Sequence, residues 1–156
     1  MMVDPRAARA VADLPEGQAF ASVELDAPPE RVFDALVSSD VTRWWVRPGV
    51  FDTREWKSDP HPGGTWEATG MARGEPYTLE GEYLEVDRPR RLVHTWHLRG
   101  HPGASSTVTY IVEPAEPGTR LTLRQSRFES RANCLATAIG WETSFEELSR
   151  LLAGDL

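Results

Sequence analysis

The chain has 156 residues, 40% hydrophobic and 26% charged, with a formal net charge of −7. That length suits one domain with one core. The acid excess speaks against a nucleic-acid-binding protein, which needs a basic face to displace counterions. The single cysteine, Cys134, excludes a disulfide within the chain and fits a reducing compartment.

Met1 to Gly17 is rich in Ala and Arg, and charges interrupt it too often for a signal peptide. No segment approaches the roughly 20 apolar residues of a membrane helix, so a cytoplasmic protein without membrane insertion is expected. Residues 1–17 are expected as a mobile arm or a short helix, followed by a single domain over residues 18–154. Ala19 to Asp26 alternates as a strand, with Val23 and Leu25 inward and Ser22 and Glu24 outward. Ala27-Pro28-Pro29-Glu30 starts a helix, with Asp26 as its cap and proline in the first turn. Val32, Phe33, Leu36 and Val37 carry the helical spacing. Ser38-Ser39-Asp40 ends that helix and caps a shorter one through Trp44-Trp45, which Pro48-Gly49 stops.

Strands are predicted next at Phe51–Trp56 and Thr65–Thr69, separated by the turn-rich Asp59-Pro60-His61-Pro62-Gly63-Gly64. Tyr77 to Val86 alternates most clearly, with Tyr77, Leu79, Gly81 and Tyr83 on one face and Glu80, Glu82 and Leu84 on the other. Arg91–Leu98 follows, with Leu92, His94, Trp96 and Leu98 sharing a face, and then Thr107–Glu113 and Thr119–Ser126. Arg131 to Ala153 reads as one amphipathic helix whose stripe is Ala138, Trp141, Phe145, Leu148 and Leu152, with Leu135 at its edge. Its span of about 34 Å would cross a whole sheet. Helices segregated from an antiparallel meander make an α+β pattern.

The pieces Ala27-Pro28-Pro29-Glu30-Arg31-Val32-Phe33, Arg43-Trp44-Trp45, Gly63-Gly64-Thr65-Trp66 and Gly81-Glu82-Tyr83-Leu84-Glu85-Val86-Asp87 are followed by Pro89-Arg90-Arg91-Leu92-Val93-His94-Thr95-Trp96, Gly118-Thr119-Arg120-Leu121 and Gly140-Trp141. In this order they resemble the START-like, or SRPBCC, superfamily. Within it they resemble the domain named after the activator of a heat-shock chaperone ATPase, the AHSA-type domain. The resemblance implies a helix-grip fold: a curved antiparallel sheet of about seven strands wrapped around the last helix, with two short helices after the first strand. It implies a cavity between sheet and helix, and often a homodimer. Superfamily members bind lipids, sterols, polyketides or hormones, and a few are cyclases or hydrolases. Fold does not choose among these. The family often carries histidine three residues before the Gly-Trp of the last helix; here Thr137 stands there.

Two readings are open for the aromatic set: it fills a solid core, or it lines a cavity. The resemblance favours the cavity, with Trp45, Trp66, Tyr83, His94, Trp96, Tyr110, Thr137, Trp141 and Phe145 as ligand-binding residues and Trp45 as part of a lid. Gln125 could add a polar group. His94 and His97 are three apart on a strand, so they point to opposite faces and make no metal site. His61 and His101 lie in loops, and Glu80 and Glu82 read as a solvated face. The expectation is a non-catalytic carrier or sensor of a small hydrophobic molecule, without metal or cofactor. The alternatives are an interaction module of co-chaperone type, and a cyclase- or hydratase-type enzyme using His94 or a tyrosine in the same pocket.

Overall fold

A computed structural model of the protein describes residues 6–100, 105–126, 128 and 131–154. His101 and the first five residues lie outside them. The strands are β1 (Arg9–Asp13), β2 (Gln18–Leu25), β3 (Val46–Arg47), β4 (Phe51–Ser58), β5 (Thr65–Ala72), β6 (Glu75–Asp87), β7 (Arg91–Leu98), β8 (Ser106–Ala115) and β9 (Gly118–Ser126). The helices are α1 (Pro29–Val37), α2 (Val41–Trp44) and α3 (Arg131–Leu152).

The strands form one curled antiparallel sheet in the order β1-β2-β9-β8-β7-β6-β5-β4-β3. This is the α+β helix-grip class, and β1 and the two-residue β3 extend the expected sheet to nine strands. Period-two burial selects the inner face. In β2, Ala19, Ala21, Val23 and Leu25 are buried, and in β9 Leu121, Leu123 and Gln125 alternate with exposed or half-buried neighbours. A register shift between Tyr83 and Glu85 interrupts the β6–β7 ladder and leaves Leu84 exposed.

The N-terminal segment corrects the expectation of a mobile arm or short helix. Arg9–Asp13 pairs with β2 from Arg9 opposite Ser22 to Asp13 opposite Gln18. So few residues cannot sustain an isolated helix, whereas the free edge of β2 offers partners for alternate backbone N–H and C=O groups, and Ala10 packs against the core. The turn that joins them uses Gly17 at φ 63°. Asp26 does not cap α1: Pro28 is the N-cap with no side-chain bond, and the Asp26 carboxylate pairs with Arg6. Asp40 caps α2 in position only, again without a side-chain bond.

Helix α3 has 22 residues, about 33 Å, and packs against β1, β2, β3 and α2. Ala138, Trp141, Phe145 and Leu148 are buried along its stripe, while Leu135 and Ile139 are exposed. Cys134 is buried and donates from Sγ to the Gln18 carbonyl at 3.1 Å, tying α3 to β2. Among the described residues no helix is long and apolar enough to cross a membrane.

Candidate functional site

The six tryptophans converge where α2, the sheet and α3 meet. Trp45, the residue after α2, is the centre of the group. Its ring lies 5.0 Å from Trp96, 5.5 Å from Trp56 and Trp66, and 5.9 Å from Trp44 and Trp141. Edge-on and tilted pairs of this kind add about 0.5–1.5 kcal/mol each beyond their area. Most of the indole N–H groups are matched. Trp44 donates to the Ala35 carbonyl at 2.9 Å, Trp56 to Val37 at 3.1 Å and Trp66 to Thr95 at 3.2 Å. Gly81 makes room for the last of these, since a Cβ there would stand 2.5 Å from Trp66 Nε1 and 2.0 Å from the Thr95 oxygen.

Trp141 donates to Gln125 Oε1 at 2.7 Å, and Gln125 Nε2 donates to Ser106 Oγ at 2.7 Å. Gln125 and Ser106 are both buried. This relay fixes the Trp141 ring against β8 and β9, because an unmatched donor at this depth would be costly.

Beside the aromatic cluster lies a cleft of about 500 Å³ between the sheet and the N-terminal half of α3. Phe51, Tyr77, Leu79, Trp96 and Leu98 come from the strands; Ala136, Thr137, Gly140, Trp141 and Ser144 come from α3. Trp45, Arg47, Val50, Arg73 and His97 also line the cleft, Trp45 itself being buried. Thr53 donates to the Trp45 carbonyl at 2.8 Å, and Tyr77 Oη lies 2.6 Å from Thr53 Oγ1. Burial raises the Tyr77 pKa, against the lowering effect of the Thr53 bond, so its hydroxyl stays neutral.

Of the residues expected to bind ligand, the structure brings Trp45, Trp96, Thr137 and Trp141 to the cleft wall. Trp66, Tyr83, His94, Tyr110 and Phe145 are not in that wall; they are packed behind it, each fully or almost fully buried. Here the solid-core reading describes the molecule. Among the described residues, the concave face is filled around Trp66, Tyr83, Tyr110 and Phe145, and the cleft takes its strand residues from one end of the sheet, among them Phe51, Tyr77 and Leu98. Alternation identifies a face, but not how far along it the packing continues. Phe51, Tyr77, Leu79, Gly140 and Ser144 were missed, although Tyr77 and Leu79 share the Tyr83 face and Ser144 lies one turn beyond Gly140.

The packed residues are neutral at ordinary pH. Burial pulls His94 down to about 4, against the smaller effect of its Nδ1 bond to the Thr95 carbonyl at 2.9 Å. Burial pushes Tyr83 up to about 12, although its hydroxyl lies 2.7 Å from Ser58 Oγ. Tyr110 is pushed well above its ordinary value by burial, then by Tyr83, with a small opposing effect from the Trp45 indole. Neither Tyr110 Oη nor Trp45 Nε1 makes a hydrogen bond of good geometry among the described residues. His94 is in the core and His97 is at the cleft, so they share no site. No group of His, Cys, Asp and Glu among the described residues is arranged to hold a metal ion.

Solved structures share this architecture. A protein from Rhodobacter sphaeroides is 21% identical, with a TM-score of 0.79 over 95% of this chain and 99% of its own. Protein Ms6760 from Mycobacterium smegmatis is 21% identical, with a TM-score of 0.77 over 92% and 94%. The AHSA1 protein from Silicibacter pomeroyi is 24% identical, with a TM-score of 0.74 over 90% and 100%. At these identities the likeness is one of fold. Among curated proteins none matches the chain in sequence. A family model matches residues 26–153, from the start of α1 through the end of α3, and on that match the chain belongs to the family described as Activator of Hsp90 ATPase homolog 1-like protein.

Proposed function

We propose that the protein is a non-catalytic carrier or sensor that binds a small hydrophobic molecule between the sheet and the C-terminal helix. The observation that carries this reading is the cleft of about 500 Å³, walled by Trp45, Trp96 and Trp141 beside an otherwise densely packed aromatic core. Its size falls in the usual range for small-molecule sites, and its make-up is the expected one of apolar wall with a few polar groups. Removing about 200 Å² of apolar ligand surface from water would contribute about 5 kcal/mol before the costs of association. Tyr77, Thr137 and Ser144 offer neutral polar groups that can set orientation. The neutral interior suits the apolar body of a guest.

Native mass spectrometry of the protein as purified from cells, compared with a denatured sample, tests the reading. The expected result is a small co-purifying mass that is lost on denaturation. A single apo mass, together with unchanged tryptophan emission on titration with neutral and charged medium-chain amphiphiles alike, would remove it.

A further inference from the structure

We propose that the molecule held in this cleft carries an anionic head group, which Arg47 and Arg73 engage at its rim. The inference rests on the cleft being a binding site and adds the class of ligand. The protein is acidic overall, with 24 Asp and Glu residues against 17 Lys and Arg, yet no carboxylate is among the described residues lining the cleft, and two arginines are.

Those two arginines also differ from most others in the fold. Arg31, Arg54, Arg88, Arg91, Arg99 and Arg120 each pair with a carboxylate at 2.7–3.0 Å. Arg47 and Arg73 have no ion pair among the described residues. The nearest carboxylate in sequence on β4, Asp52, is held by Arg54 Nε at 3.0 Å and accepts from the Met71 N–H at 3.3 Å.

The backbone brings the two arginines to one corner of the rim. The Val50 N–H donates to the Arg47 carbonyl at 2.9 Å, and the Arg73 N–H donates to the Val50 carbonyl at 2.8 Å. Arg47 ends β3, and Arg73 begins the two-residue turn between β5 and β6. Arg73 has φ 50° and Gly74 φ 82°, a turn whose first position favours Asn, Asp or Gly. Backbone preference therefore does not account for an arginine at 73. Two guanidinium forks beside an apolar wall match a molecule with a hydrocarbon or aromatic body and a carboxylate or similar anion at one end. The body would lie against Trp96 and Trp141, with the head toward solvent, where the cost of desolvating charge is small.

The test is a tryptophan-emission titration of the full chain at pH 7.5 with decanoate, 1-decanol and decyltrimethylammonium. Decanoate is expected to bind roughly tenfold more tightly than the alcohol, and the cation more weakly than either. In the double variant Arg47→Gln, Arg73→Asn the ratio of acid to alcohol affinity should fall to about one. Both changes are at the rim, and asparagine suits the turn; circular dichroism checks the fold. Equal binding of acid and alcohol by the native protein, or an unchanged preference in the double variant, would overturn the anionic head while leaving the cleft as a binding site. Absence of binding by all three probes would overturn both.

Discussion

His94 should make the protein acid-sensitive in a way that one substitution removes. Its ring is packed against Trp66, Tyr83 and Tyr110 at centroid distances of 5.0, 6.0 and 5.8 Å, and burial lowers its pKa from the ordinary 6.5 to about 4. Between those values the unfolded chain binds a proton there and the native protein does not. Stability therefore falls as pH drops through 6.5, and the loss levels off below about 4. At about 1.4 kcal/mol per pH unit, the loss from this one group is about 2 kcal/mol between pH 7 and pH 5 and approaches 3 kcal/mol at pH 4. In a chain of this size the first step corresponds to about 4–8 °C in Tm. Urea unfolding at pH 7, 6, 5 and 4.5 on the native protein and His94→Gln gives the comparison. The variant starts less stable, since it disturbs the core, but the gap should narrow by about 2 kcal/mol between pH 7 and pH 5. The difference between the two curves cancels the carboxylates common to both. A gap that stays constant with pH would refute the assignment of a neutral, desolvated histidine.

Three other outcomes are expected. Tyr110→Phe should leave stability unchanged or raise it, because the lost hydroxyl has no well-made bond, whereas Tyr83→Phe should cost about 1 kcal/mol through the lost Ser58 contact; the order of the two in denaturant reads this directly. Gln125→Leu and Trp141→Phe each leave a buried partner unmatched, so the double variant should be less damaged than the summed singles by about 1 kcal/mol or more, and additivity within about 0.4 kcal/mol would sink the relay. Trp96→Ala should weaken decanoate binding roughly tenfold without altering the oligomeric state seen by light scattering, and unchanged affinity in a folded variant would remove Trp96 from the cleft wall.

Much of the fold can be read from the chain because its signals are local and agree with one another. The alternation in Tyr77–Tyr83 and Arg91–Trp96, the proline start of α1 and the long stripe of α3 each specify an element. The strand at Arg9–Asp13 could not be read that way, since five Ala- and Arg-rich residues become a strand only because β2 has an open edge. The cleft was half legible. Trp96 and Trp141 follow from strand facing and helical spacing, whereas Trp45 and Thr137 are reached only through the family resemblance. The burial of Trp66, Tyr83, Tyr110 and Phe145 behind the wall depends on how closely α3 approaches the sheet, a distance that no local pattern encodes. Arg47 and Arg73 carry no periodicity at all; they become neighbours through the two backbone bonds at Val50.

The order of strands also sets a timetable for assembly. β2 has β9 as its inner neighbour, and their paired residues are about 100 positions apart in the chain. At ordinary rates of synthesis, about 5–20 s pass between the emergence of Ala19–Leu25 and that of its partner. During that time the β3-to-β8 meander can form from neighbours in sequence, while the β1–β2 hairpin waits with Ala21, Val23 and Leu25 uncovered. Closure of the sheet by β9 and its sealing by α3 are therefore late events, and a chain lacking residues 118 onward would hold the β1–β2 hairpin and the β3-to-β8 meander as two pieces not yet joined.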